Sequence, residues 1–364
     1  MRKSPDGLNA KGAIHILAPR YKPFGCGICD HSLLLASSLA GAGAVVSIHH
    51  AAGNGFAPSV QINGGDLVML QLSVYGFHAK GVPVWLPGYL KDLKARGARI
   101  VTYFHELWVQ WASVGSSAFW LSPLQYHVCK QVLAISDRAV FNAEWAYDWG
   151  KSRLSGASDY ITTFSTIGES PKESTPWRQR PDTLAVFGNA QARADAYHAI
   201  IQVTQHQPLC FRGFDLLDLG KTSAALNELL APDGPVRSRF SQTECTGAAS
   251  PDQVQALLMS SKFGIFAASW GHASKSSVLA AYAAHGVCPV SIHSQPITRR
   301  RVRLAPKPDV HFAILQNIDW QTAGQSAIYA SVAQAATASY RPRRDLAALV
   351  LQEADAAAIQ NGLG

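Results

Sequence analysis

Short apolar runs of strand length alternate with helical stretches along the chain. Ala13-Ile14-His15-Ile16-Leu17-Ala18 is one such run; the glycine-rich turn Pro23-Phe24-Gly25-Cys26-Gly27-Ile28 follows it, and Asp30 to Leu39 has helical spacing. Further strands are predicted at Val45 to Ile48, Asp66 to Leu72 and Ala98 to Phe104, the last preceded by a charged helix from Gly88 to Arg96. Continuous apolar strands separated by helices predict parallel strands covered on both faces. The first half therefore reads as a doubly wound α/β domain.

The stretch Glu169 to Pro181 carries three prolines and many charges, which is linker chemistry. Beyond it the pattern restarts, with strands predicted at Thr183 to Phe187, Pro208 to Gly213, Phe263 to Ala268 and Cys288 to Ile292. Helices are predicted after the Gly188-Asn189 turn, from Pro251 to Ser260 and from Lys275 to Ala284, and Leu346, Leu349, Val350, Leu351 and Ile359 place a packed helix at the tail. The expected division is a domain over 1–170, a linker over 171–181, a second domain over 182–340 and a terminal helix over 341–364.

With 364 residues, two domains also fit the length. Hydrophobic residues at 48% and charged residues at 15% exclude a disordered chain. Lys and Arg total 32 against 24 Asp and Glu, and the net +8 favours anionic partners. Six cysteines are too few for a disulfide scaffold and no signal segment opens the chain, so a reducing cytoplasm is expected. Ser32 to Ile48 is uncharged, but Ser37, Ser38, Gly41 and Gly43 interrupt it; it reads as a buried helix and strand rather than a membrane span.

Ligands of doubly wound sheets bind beyond the carboxyl ends of the strands, which filters the candidates by position. Gly25 and Gly27 lie where the first strand meets its helix, where amides can receive an anion, or they form a plain tight turn. Asp30 beside them is a candidate cap. His105 and Glu106 follow the fourth strand, where an imidazole and a carboxylate are placed to touch a substrate. In the second half, Ser269-Trp270-Gly271-His272-Ala273-Ser274-Lys275-Ser276-Ser277 lies between a strand and a helix. It offers a diphosphate seat of amides, hydroxyls and one ammonium, or a serine-capped helix with one surface lysine. Arg193, after the Gly188-Asn189 turn, is a second phosphate clamp or a surface arginine.

Cys26 and Cys29 form a CxxC with His31 nearby; the alternatives are a redox pair or small residues in a glycine loop, since zinc ligands at finger-like spacing are not there. The basic runs Arg299-Arg300-Arg301-Val302-Arg303 and Arg341-Pro342-Arg343-Arg344 suit a solvated face or contact with anionic lipid at the inner face of a membrane. They lack interleaved aromatics, so nucleic acid is not an expected partner. No two aspartates are separated by a single residue, the pair with which metal-dependent sugar-nucleotide enzymes commonly hold Mg²⁺ or Mn²⁺, so no metal site is expected.

Over most of its length the chain resembles the GT-B glycosyltransferases, most nearly the large retaining group called family 4. Gly25-Cys26-Gly27-Ile28-Cys29-Asp30-His31 is similar to that family's Gly-Gly-Ile-x-Asp-Tyr loop, and Tyr103-Phe104-His105-Glu106-Leu107-Trp108 to its strand-end His-Asp or His-Glu segment. Ala134-Ile135-Ser136-Asp137 with Asn142-Ala143-Glu144 resembles the segment near the cleft, and Thr166-Ile167-Gly168-Glu169-Ser170-Pro171 the interdomain edge. Phe263 to Ser291 is similar to the donor-domain strand, loop and helix. Where the family commonly carries two glutamates eight positions apart, this chain has His272 and Ala280; the family's Gly-Arg turn is Gly188-Asn189. Losing such a carboxylate costs on the order of 2–4 kcal/mol of transition-state stabilisation.

The resemblance implies a GT-B fold, two doubly wound Rossmann-like domains facing across a cleft. It further implies retaining, metal-independent transfer of a sugar from a nucleoside diphosphate donor, with no other cofactor. His105, Glu106 and Lys275 are then the candidate catalytic residues. Gly27, Asn189, Arg193, Gly213, His272, Ser274, Ser276 and Ser277 are donor candidates, and Gly25, Asp30 and His31 lie on the acceptor side. A GT-B-like epimerase and a catalytically silent nucleotide-sugar binding protein are the alternatives.

Overall fold

In the computed structural model the described residues are 12–20, 26–57, 61–109, 114–154, 156–169, 175–293, 304 and 306–361. They divide into two compact units, Met1–Thr162 with Pro342–Gly364, and Thr163–Arg341. Among the described residues each unit is built on one sheet of six parallel strands.

In unit 1 the elements run β1 (Ile14–Ala18), α1 (Gly27–Gly41), β2 (Val46–His50), β3 (Leu67–Ser73), α2 (Val74–Phe77), α3 (Trp85–Ala95), β4 (Arg99–Glu106), α4 (Ser117–Ile135), β5 (Arg138–Phe141), α5 (Glu144–Lys151) and β6 (Ala157–Tyr160). The strand order is β2-β1-β3-β4-β5-β6. Every residue of β1 and β3 is buried, which is why those segments read as unbroken apolar runs. Leu70, Leu72, Ile100 and Phe104 pack with Leu90, Leu93, Val128 and Val132 of α3 and α4 into one core.

Unit 2 runs β7 (Thr183–Phe187), α6 (Ala190–His206), β8 (Asp215–Leu219), α7 (Ala224–Leu230), β9 (Thr243–Cys245), α8 (Pro251–Ser260), β10 (Phe263–Phe266), α9 (Ser277–Ala284), β11 (Cys288–Ser291), β12 (Ala313–Ile314) and α10 (Ala327–Ser339), in the order β12-β11-β10-β7-β8-β9. Phe214, Phe263 and Trp320 pack edge to face at its centre, with Phe263 and Trp320 centroids 5.3 Å apart, and Phe211 lies tilted against Trp320. α8 shows how local sequence sets a boundary: Ser250 and Gln253 form a reciprocal capping box and Pro251 opens the first turn.

Several expectations are corrected. The run Pro208 to Gly213 is a series of turns, and the strand lies at Asp215–Leu219, so the polar Asp215 and Asp218 belong to the sheet. Residues 175–181 are not a loose linker. Trp177 and Arg180 are buried, the indole donates to Lys262 O at 2.7 Å, and the guanidinium donates to Ser261 O and His285 O, each at 2.9 Å. Those two carbonyls close α8 and α9, and the negative ends of both helices suit a cation. The segment from Thr163 onward belongs to unit 2, where the Gln255 amide donates to Ile167 O at 2.7 Å.

The terminal helix α11 (Pro342–Gln360) packs on α1, β3 and β4 of unit 1. Its Glu353, 5% exposed, accepts from Arg99 Nε at 2.5 Å and Arg138 Nη1 at 2.8 Å, and Arg138 also binds Asp159 at 2.7 Å. Substituting Glu353→Ala removes the carboxylate partner of the partly buried Arg99 and one of the two of Arg138. It is expected to lower the unfolding free energy by about 2–4 kcal/mol, measured as a shift of the urea midpoint.

Candidate functional site

In a doubly wound sheet the strand order reverses at one place, and the loops leaving the two strands there diverge and leave room for a ligand. In unit 2 this point lies between β7 and β10. The Gly188-Asn189 turn leaves β7 on one side, and Ser269 to Ser276 leaves β10 on the other.

A buried phenol sets the strand ends there. Tyr282 of α9 donates from its hydroxyl to Ile265 O at 3.0 Å or Ala185 O at 3.3 Å, and accepts from Phe187 N at 3.2 Å. It thus inserts into the β7/β10 ladder just where pairing ends at Ile265 and Val186. Burial raises its pKa, so it stays a neutral donor and acceptor. The ring needs a glycine beneath it, because a Cβ on Gly264 would approach it to 2.5 Å.

The Ser269–Ser276 loop contains a 3₁₀ turn, Trp270–Lys275, that leads directly into α9. The Ser276 hydroxyl caps α9, accepting from Leu279 N at 3.1 Å, and Ser277 opens the helix. Helix-opening amides, Lys275 and Ser277 thus meet at one strand end. Ser274 is buried, with its carbonyl accepting from Thr163 N at 2.9 Å; its Oγ has no hydrogen-bond partner among the described residues. His272 is exposed and its ring contacts Ser269 Oγ at 3.1 Å. Partial desolvation, and then the nearby Lys275 charge, lower the His272 pKa, which keeps it neutral at neutral pH. Ala280, at the second position where the family has glutamate, is buried in α9.

Arg193 does not present its charge to solvent. It is fully buried and paired with Asp218 at 2.6 Å; a second arm donates to Lys221 O, and the other Asp218 oxygen accepts from Tyr197. Burial, followed by the carboxylate of Asp218, pushes the Tyr197 pKa well above its ordinary value. This corrects the clamp expected at Arg193: an arginine on the first turn of α6 reaches under the sheet edge once β8 supplies a buried aspartate. Asn189 likewise caps α6, accepting from Ala192 N at 2.9 Å. Gly213 precedes β8 and so lies at the amino end of that strand, away from this edge; Gly220 holds the carboxyl end instead. Gly220 has φ +146°, and a Cβ there would come within 3.0 Å of Gly188 O. The sequence pattern Asp215-Leu-Leu-Asp-Leu-Gly220 carried that strand end, hidden by its acidic residues.

In unit 1 the reversal lies between β1 and β3. Gly25 lies outside the described residues. Gly27 is exposed as the first residue of α1, whose amino end has no side-chain cap. Asp30 is half-buried in that first turn, and burial raises its pKa. Cys29 is buried. His105 and Glu106 close β4 rather than follow it. His105 is buried against Gln71 at 2.6 Å, with its ring 4.5 Å from Tyr103 and 4.7 Å from His31. Glu106 is exposed and accepts from Ser73 at 2.7 Å, so it is the carboxylate that presents itself at this strand end.

His31 is 1% exposed, which places it in the core rather than on an acceptor surface. Among the described residues no cluster of three or more His, Cys, Asp or Glu side chains is arranged to hold a metal ion. Arg299 to Arg303 lie outside the described residues.

No protein-family model matches the sequence, and no curated protein sequence matches it. Solved structures do match. WaaG, a glycosyltransferase involved in lipopolysaccharide biosynthesis, is 12% identical with a TM-score of 0.53 over 93% of this chain and 99% of its own. An α-glucosyltransferase in complex with UDP is 10% identical, with a TM-score of 0.54 over 93% and 99%. Alr3699/HepE of Anabaena, in complex with UDP and glucose, is 12% identical with a TM-score of 0.54 over 95% and 99%. At these identities the likeness is one of fold.

Two outcomes follow from the site geometry. Tyr282→Phe leaves the Phe187 amide without its acceptor and should cost about 1–3 kcal/mol of stability, read from denaturant unfolding. Burial lowers the His31 pKa from 6.5 to about 3, so the folded protein binds fewer protons than the unfolded chain between those values. Its contribution is whole above pH 6.5 and is lost as pH falls toward about 3. In His31→Gln the acid-side slope of unfolding free energy should be shallower by up to about 1.4 kcal/mol per pH unit, measured by chemical denaturation across that range. The two β-sheets with their flanking helices have the fold of the GT-B glycosyltransferases.

Proposed function

We propose that this chain is a glycosyltransferase that holds a nucleoside diphosphate sugar on unit 2 and transfers the sugar to an acceptor with retention, without a metal ion. The observation that carries the reading is the convergence, where the order of strands reverses, of the Gly188 and Gly220 strand ends with the Lys275-to-Ser277 entry into α9. Main-chain amides at a helix start, one ammonium and a free serine hydroxyl form a seat for a diphosphate. Structures of the same fold that hold UDP or UDP-glucose support it.

In this proposal the bond from the sugar C1 to the diphosphate oxygen breaks with its electron pair on the phosphate. Lys275 and the α9 amides neutralise the charge that develops there. The acceptor hydroxyl oxygen bonds to C1 and passes its proton to the departing diphosphate oxygen. On unit 1, Glu106, which accepts from Ser73 at the β4 end, is the side chain proposed to contact substrate. His272 and Ala280, in place of carboxylates, favour a second reading: a protein that binds the nucleotide sugar without turning it over.

A thermal-shift screen of nucleoside diphosphates and their sugars tests both. Binding raises the melting temperature by mass action. Lys275→Ala should weaken nucleoside diphosphate affinity by about 10- to 100-fold and abolish transfer. Stabilisation by a donor with no sugar released or transferred selects the silent binder. A chain that no nucleoside diphosphate stabilises overturns the proposal.

A further inference from the structure

Among the described residues, the outer face of α4 in unit 1 gathers several exposed large apolar side chains. The inner stripe, with Val128, Val132 and Leu133, is buried in the core. On the outside, Trp120 is 68% exposed, Leu124 50% and Phe119 39%, and Val114, just before the helix, is 63% exposed. Residues three and four apart share a helix face, so the stripe begun by Trp120 and Leu124 continues through exposed His127 and Lys130. The 19 residues of α4 include no aspartate or glutamate.

A second cation stands beside this stripe. Tyr126 of α4 lies 6.1 Å from the Trp149 ring, and the Arg153 guanidinium sits over that indole at 5.7 Å. The Tyr126 phenol is held below its ordinary value by Trp149 first, then by Arg153 and Lys130. On the neighbouring helix Glu144 is buried and Asp148 is already paired with Lys151 at 3.0 Å. An apolar tip rich in aromatics therefore passes into a cationic collar that no acidic residue of α4 offsets.

We propose that this face docks unit 1 on an anionic lipid surface, with Trp120, Phe119 and Leu124 in the interfacial zone and Lys130 and Arg153 among the headgroups. Indole rings favour the boundary between headgroup and acyl chain, and each cation near an anionic leaflet adds to the attraction. Four apolar side chains suit that shallow burial, whereas a stable protein interface uses about 20 residues a side. No helix among the described residues is long and apolar enough to span a membrane, so the contact lies on the surface. The inference is independent of the donor proposed for unit 2.

The test is co-sedimentation of the full chain with vesicles of phosphatidylcholine alone and of phosphatidylcholine with phosphatidylglycerol, at low and high salt. Binding to the anionic vesicles, weakened by salt, is expected. Trp120→Ser with Leu124→Ser should lower the partition coefficient at least about tenfold. Lys130→Glu and Arg153→Glu should each lower it by about fivefold or more. UDP affinity, followed in parallel, should be the same in all variants. The proposal is overturned if the wild-type chain ignores anionic vesicles or if the double serine variant binds them as well as wild type. It is also overturned if light scattering shows a dimer that the serine variant dissolves, which would assign the face to a second copy. Absence of UDP binding throughout would remove the donor reading and leave this one standing.

Discussion

Parallel strands cannot be joined by a tight hairpin, so every strand here must be left at its carboxyl end and re-entered from the opposite edge. That constraint gathers the outgoing loops and the amino ends of the following helices along one edge of each sheet. It also requires helices on both faces, which is why β1 and β3 are buried along their full length. Where the strand order reverses, between β1 and β3 and between β7 and β10, the outgoing loops part company. The candidate chemistry follows from this geometry more than from any one side chain.

The interior polar groups serve the same edge. Tyr282 substitutes its hydroxyl for ladder partners where β7 and β10 separate, and Gly264 makes room for the ring. Asp218, buried in β8, is held by Arg193 and Tyr197 beneath the glycine strand ends. A charge in that environment is tolerated only with its partner in place. The arginine therefore supports the edge from below and does not present its charge to solvent. In unit 1 the division is similar: His31 and His105 are packed inside, while Glu106 is exposed at the surface of the strand end.

Much of this was legible in the sequence, and the gaps have physical causes. Thr183–Phe187 and Pro251–Ser260 were readable because an apolar run and a capping box are local signals. β6 and β9 were not, because they are short edge strands with polar residues such as Asp159 and Glu244 and a solvent-facing side. β8 was displaced onto Pro208 to Gly213 because Phe211 and Cys210 look like strand residues, yet they fill the core from a turn. Residues 175–181 looked like a linker by composition, but Trp177 and Arg180 find carbonyl partners that are distant in sequence.

The sequence by itself determined the class of fold, two alternating β/α halves, and the loops at which ligands of such folds are held. Periodicity and turn chemistry are properties of neighbouring residues, so they survive without knowledge of the partners. Only the tertiary structure decided which charges remain available. Arg193 is consumed by Asp218, 25 residues away, and α11 is bound to unit 1 through Glu353 and Arg99, 254 residues apart. Whether a side chain is buried or presented depends on what the rest of the chain brings to it.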